Sequence, residues 1–422
     1  MFDSLRMDIL PSTHYHHPLV KQFNSEHPAG SKEIDLSEQA LIAEARRITG
    51  LERFGDDDFL PPLRTLLDAI ENEANLNPFG RHIARTRTLQ SLTNRLWANA
   101  SFEAHPDIRQ RKIAAPVIIV GLHRSGTTRL QRMMATDPRL QHLTTWEGIN
   151  PAPRPNLPDA GRTARYEEVK EAISTRHAVY PGALAHPMGA DWPEEEMLLL
   201  NHSFSGFSAL GLYHLPSYYR WFLSDDKQAG YRYMSDLMKL ISRSRNEPEE
   251  KRWLLKNPQH MLDLPTLMQT FPDAKLVFMH RDPLKTVGSI MSLSWHFAVQ
   301  HTDQPCRAAT RDIWMDFYEQ MARRCIAARE DIPAAQQLDV HYADMNRDWR
   351  ATMRRIYQFA DMEFDSATEN AMAAWLAASE REGLHNGHRY ALEDFGTTTE
   401  EVDARMKFYR ERYDISHESE RR

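Results

Sequence analysis

Two short stretches of this 422-residue chain carry residue types and spacings suited to gripping an anion. The first is Gly121-Leu122-His123-Arg124-Ser125-Gly126-Thr127-Thr128. A glycine-bounded turn at the start of a helix aims backbone N–H groups, the positive helix end and two hydroxyls at one point, and such a point holds a phosphate or a similar oxyanion. Arg124 adds a planar, permanently charged fork for a tetrahedral anion. The second stretch is His280-Arg281-Asp282-Pro283, followed by Ser289. Asp282 suits an N-cap and Pro283 a first helical position. Ser289 then falls roughly 9 Å along the helix axis. Arg281 and Ser289 can therefore hold a second anion beside that helix, or Arg281 can simply pair with Asp282.

Strand-to-helix junctions must position both stretches. The apolar run Val117-Ile118-Ile119-Val120 reads as a buried strand entering the first loop; Leu130, Met133 and Met134 keep helical spacing after it, and Asp137-Pro138 ends the helix. Leu276-Val277-Phe278-Met279 reads as the strand before Arg281, and Leu284, Val287, Ile290 and Met291 mark one apolar helix face after it. The loop keeps both glycines of the nucleoside triphosphatase signature G-x-x-x-x-G-K-[ST], but Thr127 stands where that signature has Lys. The cation has moved into the loop, which suits a triphosphate and its metal poorly.

Together these residues resemble the sulfotransferases that use 3′-phosphoadenosine 5′-phosphosulfate (PAPS). Trp253-Leu254-Leu255-Lys256-Asn257-Pro258-Gln259-His260 and His388-Arg389-Tyr390-Ala391-Leu392-Glu393-Asp394-Phe395-Gly396 are similar to the bacterial branch of that family. The likeness spans roughly residues 111 to 396. It implies a three-layer α/β/α fold with a central parallel sheet, P-loop NTPase-like. It implies that Arg124, Ser125, Gly126, Thr127 and Thr128 bind the 5′-phosphosulfate, and Arg281 and Ser289 the 3′-phosphate. The segment around Arg389 would fold over the nucleotide; Arg389 either touches the 3′-phosphate or pairs with Glu393 at i,i+4. Many cytosolic members have Lys where Arg124 stands, so their acceptor preferences do not transfer.

Sulfuryl transfer is an in-line displacement driven by positioning and charge stabilisation. The leaving 5′-phosphate needs donors, which the loop and Arg124 supply. Lys256 is a further cation for it, or else a salt-bridge residue. The attacking hydroxyl or amine needs a base. By resemblance the base is Glu147, in Leu143-Thr144-Thr145-Trp146-Glu147, where packing on Trp146 would raise its pKa. Among the His residues, His186, His202 and His260 are weaker candidates, expected mostly at the surface or at caps. Fixed cations make a metal unnecessary, and no H-E-x-x-H or Cys/His ligand cluster is present.

The acceptor is read only broadly, as a small-molecule, lipid or glycan alcohol or amine. The proline-rich stretch Pro151 to Pro158 is expected to rim its pocket. The aromatic run from Trp192 to Trp221 either lines that pocket or is ordinary core. Glu194-Glu195-Glu196 reads as the solvated first turn of a helix opened by Pro193.

A formal net charge of −7 argues against a nucleic-acid partner. Cys306 and Cys325 suggest no disulfide framework. Met1 to Pro11 lack a signal pattern and no run is long enough to span a bilayer, so a cytoplasmic enzyme is expected. Two regions are expected: a mainly helical one over 1–110, and the transferase domain over 111–422. In the first, helices start at Ser37 and Pro61-Pro62, with a longer one near 81–100; in the second, strands lie near 117–120, 252–255, 275–279 and 338–342. The N-terminal helices either close the acceptor pocket or form a homodimer contact. A nucleotide-dependent kinase and a non-catalytic nucleotide-binding protein are the rival functions.

Overall fold

A computed structural model describes residues 15–28, 34–180, 187–381 and 390–418. Five parallel strands form the central sheet in the order β2-β3-β1-β4-β5: β1 is Val117–Gly121, β2 Leu140–His142, β3 Arg252–Lys256, β4 Lys275–His280 and β5 Gln337–His341. Four of these match the expected strands. β2 is new; three residues after a Pro-ended helix carry too little alternation to announce a strand.

The pleat of β1 sorts its side chains onto two faces, as period-two geometry requires. Ile118 and Val120 pack with the N-terminal helices and with helices Gln228–Ser244, Pro283–His301 and Arg307–Arg329. Val117 and Ile119 pack with helices Thr127–Met134, Trp349–Phe359 and Ser366–Arg381. All four residues are fully buried, and the three layers follow from that burial.

The N-terminal helices begin as their caps dictate. Ser37 accepts the amide of Ala40 ahead of helix Glu38–Thr49, which ends on Gly50 in the left-handed region. Pro61 and Pro62 sit in the first turn of helix Leu60–Glu73. Asn77 caps the long helix Pro78–Ala104, and its side chain and amide also bind the carbonyls of Gln300 and His301 at the end of the helix that follows β4. Residues of all three helices share one apolar cluster with the sheet. The helical region drawn from the sequence is thus packed onto the α/β layers rather than set apart. Among the described residues no helix is long and apolar enough to cross a membrane.

Candidate active site

Adjacent strands carry adjacent loops. β4 runs beside β1 with Gly121 opposite Met279, so the 121–126 loop and the 281–283 turn leave the sheet together. β3 flanks β1 on its other side, with Lys256 opposite Ile119. Three neighbouring strands therefore deliver Lys256, Arg124 and Arg281 to one edge of the sheet, the carboxyl ends where α/β folds bind ligands.

The contacts bear out that convergence. Arg281 donates from Nη1 to the carbonyl of Arg124 at 3.0 Å, and Arg124 donates from Nε to Ser289 Oγ at 3.0 Å. Lys256 Nζ lies 3.3 Å from Thr128 Oγ1. Asp282 caps the following helix through the amide of Leu284, with Pro283 at its start. Arg124 has φ of 67°, a left-handed conformation that costs a side-chain-bearing residue about 1–2 kcal/mol. It is half-buried, it has no ion pair among the described residues, and desolvation together with the Arg281 charge depresses its pKa against a weaker opposing pull from Glu195. Two guanidiniums held close with one unneutralised make a strong site for an anion.

Close approach explains the second loop glycine. Gly126 has φ of 94°, and a Cβ there would lie 2.6 Å from the Tyr342 ring. No side chain caps helix Thr127–Met134, so its first amides stay open. Thr127 and Thr128 line the cavity in front of them. Ser125 differs from the expectation: its hydroxyl and amide both turn back to the carbonyl of Leu122, at 2.7 and 3.2 Å. It closes the turn, leaving neither group for an anion.

Two partners of Arg281 were not visible in the sequence. Tyr342, the residue after β5, stacks under its guanidinium at 4.1 Å. Glu418 takes its Nε and Nη2 at 2.8 and 3.0 Å, while the Glu418 amide binds Asp282 at 2.8 Å. Both lie far along the chain from Arg281, and neither belongs to a recognisable motif. Arg389, His186 and His388 lie outside the described residues.

Glu147, the expected base, stands away from the anion loops. It sits after β2, the edge strand, on the far side of β3, and does not line the cavity. Arg245 grips both its oxygens and Thr144 donates to one of them. Burial pushes the carboxyl up, but these bonds outweigh it and hold the pKa below the ordinary value. Trp146 does not reverse that. Glu147→Gln would leave Arg245 beside a neutral amide, so we expect a loss of about 3 kcal/mol in stability, read as a lower urea midpoint.

The glutamate run is likewise not solvated. Glu194 and Glu196 are buried, and the 193–194 backbone pairs with Leu143 and Thr144 beyond β2. Glu195 pairs with Lys256 Nζ; Glu196 accepts the Lys256 amide at 2.9 Å and meets His260 at 2.6 Å. The Met197-Leu198-Leu199-Leu200 run just after it was the overlooked signal that this segment turns inward.

The two loops and Glu195 open into a cavity of about 1510 Å³. That exceeds an ordinary ligand pocket and leaves room for two molecules. Near the loops it is lined by Arg124, Thr127, Arg281, Ser289 and Tyr390; farther off its walls are Ile70, Phe79, Ile83, Phe204, Phe207 and Phe297. Helices Leu60–Glu73 and Pro78–Ala104 supply part of that apolar wall. The 151–158 stretch does not reach it; helix Arg162–Val179 does. Of the aromatic run, Phe204, Phe207, Tyr213 and Tyr218 face the cavity, whereas Tyr219 and Trp221 pack into the core.

His202 and His260 are buried rather than superficial. Burial lowers His142 and His202 to about 4 and His301 to about 3. The unfolded chain therefore binds protons that the folded one refuses. This stabilisation is complete above about pH 6.5 and fades as pH falls toward 4. At pH 5 we expect a loss of about 1–2 kcal/mol for each of the three. Glu147 is also shifted downward, and because its ordinary value is lower than that of histidine it loses its contribution only at lower pH. Urea midpoints at pH 7.5 and 5 would measure the loss.

A sequence profile of the sulfotransferase family matches residues 116–366. Sulfotransferase STF1 of Mycobacterium tuberculosis H37Rv is 31% identical, with a TM-score of 0.74 over 87% of this chain and 98% of that one. Sulfotransferase STF9 of Mycobacterium avium is 26% identical, with a TM-score of 0.79 over 91% and 98%. The omega-hydroxy-beta-dihydromenaquinone-9 sulfotransferase Stf3 of Mycobacterium bovis is 25% identical over 289 residues, 66% of this chain and 71% of its own.

Proposed function

The chain belongs to the sulfotransferase family, and from that premise we propose that it moves a sulfuryl group from PAPS to the hydroxyl of an apolar, lipid-like alcohol. One observation carries the reading: the two loops that share the Arg281–Arg124 bond form one end of a cavity whose far walls hold a group of large apolar side chains, with polar and charged residues such as Arg87, Gln90, Glu171 and Arg176 among them. Arg124, the open amides at the start of helix Thr127–Met134, and the hydroxyls of Thr127 and Thr128 hold the 5′-phosphosulfate. Arg281 and Ser289 hold the 3′-phosphate; the Ser289 hydroxyl, which accepts a hydrogen bond from Arg124, is still free to donate one. Lys256 adds charge beside Thr128 as the 5′-phosphate departs.

The acceptor class follows from the walls. The residues 60–104 contribute Leu66, Ile70, Phe79 and Ile83, and the 204–212 stretch contributes Phe204, Phe207 and Leu212. Against these side chains a long-chain or isoprenoid alcohol buries apolar area at about 25 cal/mol per Å², a gain that a sugar does not match. The Stf3 relative is itself named for an acceptor of the menaquinone class.

Labelled PAPS, offered with long-chain alcohols, phenols and oligosaccharides in separate reactions, tests this. Mass spectrometry should find the sulfate ester on the apolar alcohols, with one 3′,5′-adenosine bisphosphate formed per product. Transfer confined to the oligosaccharides would overturn the acceptor assignment.

A further inference from the structure

With Glu147 closed off by Arg245, the reaction still needs a proton acceptor on the cavity wall. Glu195 has the required placement. It lines the cavity, and one carboxylate oxygen is fixed on Lys256 Nζ, the ammonium that also reaches Thr128 at the start of the anion-binding helix. Its other oxygen, Oε2, has no hydrogen-bonding partner among the described residues. The neighbours are committed elsewhere. Glu194 accepts the amide of Glu195 at 3.0 Å, and its charge acts on Arg132 and Arg176. Glu196 is fully buried between His260 and the Lys256 amide.

The support behind this carboxylate is rigid. Glu196 ties the 194–196 segment to the end of β3, and His260 passes the contact on to Tyr231 at 2.8 Å. Lys227 and Asp263 close the network with a buried ion pair at 3.0 Å. Lys256, at the end of the strand that flanks the anion loop, thus holds Glu195 on the cavity wall.

We infer that Glu195 is the catalytic base, taking the proton of the acceptor hydroxyl on Oε2 while Lys256 holds Oε1. The inference rests on the PAPS reading above. In the step, a lone pair of the acceptor oxygen forms the new O–S bond. The bond from sulfur to the bridging oxygen breaks, and its electron pair leaves with the 5′-phosphate. The hydroxyl proton passes to Glu195. The products are a sulfate monoester, 3′,5′-adenosine bisphosphate and a protonated Glu195 that then returns its proton to solvent.

Glu195→Gln tests the assignment, because an amide oxygen still accepts from Lys256 but is not a base. Turnover should fall by about 10²–10⁴-fold, while the affinity for 3′,5′-adenosine bisphosphate, measured by calorimetry, stays within about threefold. Glu195→Ala is the second variant. It vacates the carboxylate site, so added formate should restore its rate at least in part and leave the wild-type rate unchanged. A Glu195→Gln enzyme with near wild-type turnover would overturn the inference, as would a Glu195→Ala enzyme indifferent to formate. Neither result touches the donor assignment; that fails separately, if the wild-type protein transfers nothing from PAPS.

Discussion

Arg124→Ala should reduce transfer by about 10³-fold without destabilising the protein. The two halves of that expectation come from the same burial. In the free protein Arg124 is a desolvated guanidinium with no carboxylate partner among the described residues, repelled by Arg281. Removing it relieves a partly desolvated charge that lies beside another guanidinium, so stability should hold or rise. Transfer falls because the same guanidinium meets the charge that grows on the departing phosphate. Arg124→Gly should match Ala in lost rate but exceed it in stability by about 1 kcal/mol, since glycine takes the φ of 67° freely. Arg124→Lys keeps the charge and loses the fork, and should fall between them and the wild type. Parallel kcat and urea measurements would check all three; a variant losing stability as sharply as rate would make Arg124 a structural residue.

Arg281→Ala should weaken binding of 3′,5′-adenosine bisphosphate by about 10²-fold. Binding of adenosine 5′-monophosphate should weaken far less. The lost interactions are charge-assisted bonds to the 3′-phosphate, worth about 3 kcal/mol together. A smaller common loss is expected for both ligands, because Arg281 also holds the carbonyl of the left-handed Arg124. Glu418→Gln should act in the opposite direction. Its carboxylate occupies Nε and Nη2 of Arg281, the two nitrogens a phosphate would take, so neutralising it should raise affinity severalfold. Calorimetric titration of the variants with each nucleotide separates these effects.

The sheet and the anion grip were legible because their signals are local. Val117 to Thr128 and Leu276 to Ser289 each carry a strand, a turn and a helix start in unbroken order. The side-by-side placement of β1 and β4 then follows from the parallel pairing. The surroundings of Glu147 were not legible, because position along the chain does not report on partners. Glu147 follows the anion-binding helix closely, yet β2 carries it to the outer edge of the sheet, where Arg245 from the end of a distant helix neutralises it. The Glu194–Glu196 run had the reverse fate. Its charges suggested water, but a bridge from Thr144 to Pro193 draws it across the carboxyl ends of the strands, where Lys256 supplies a counter-charge and His260 a hydrogen-bonding partner. Tyr342 and Glu418 were missed for the same reason: their partner Arg281 becomes a neighbour only in the folded chain.

The central claim is that two junctions, one at the end of β1 and one at the end of β4, grip two separate phosphates of one adenine nucleotide. Its most direct measure is the ratio of dissociation constants for adenosine 5′-monophosphate and 3′,5′-adenosine bisphosphate, taken on the wild-type protein by calorimetry. The account predicts a preference of about 10²-fold for the bisphosphate. Equal affinities would contradict it.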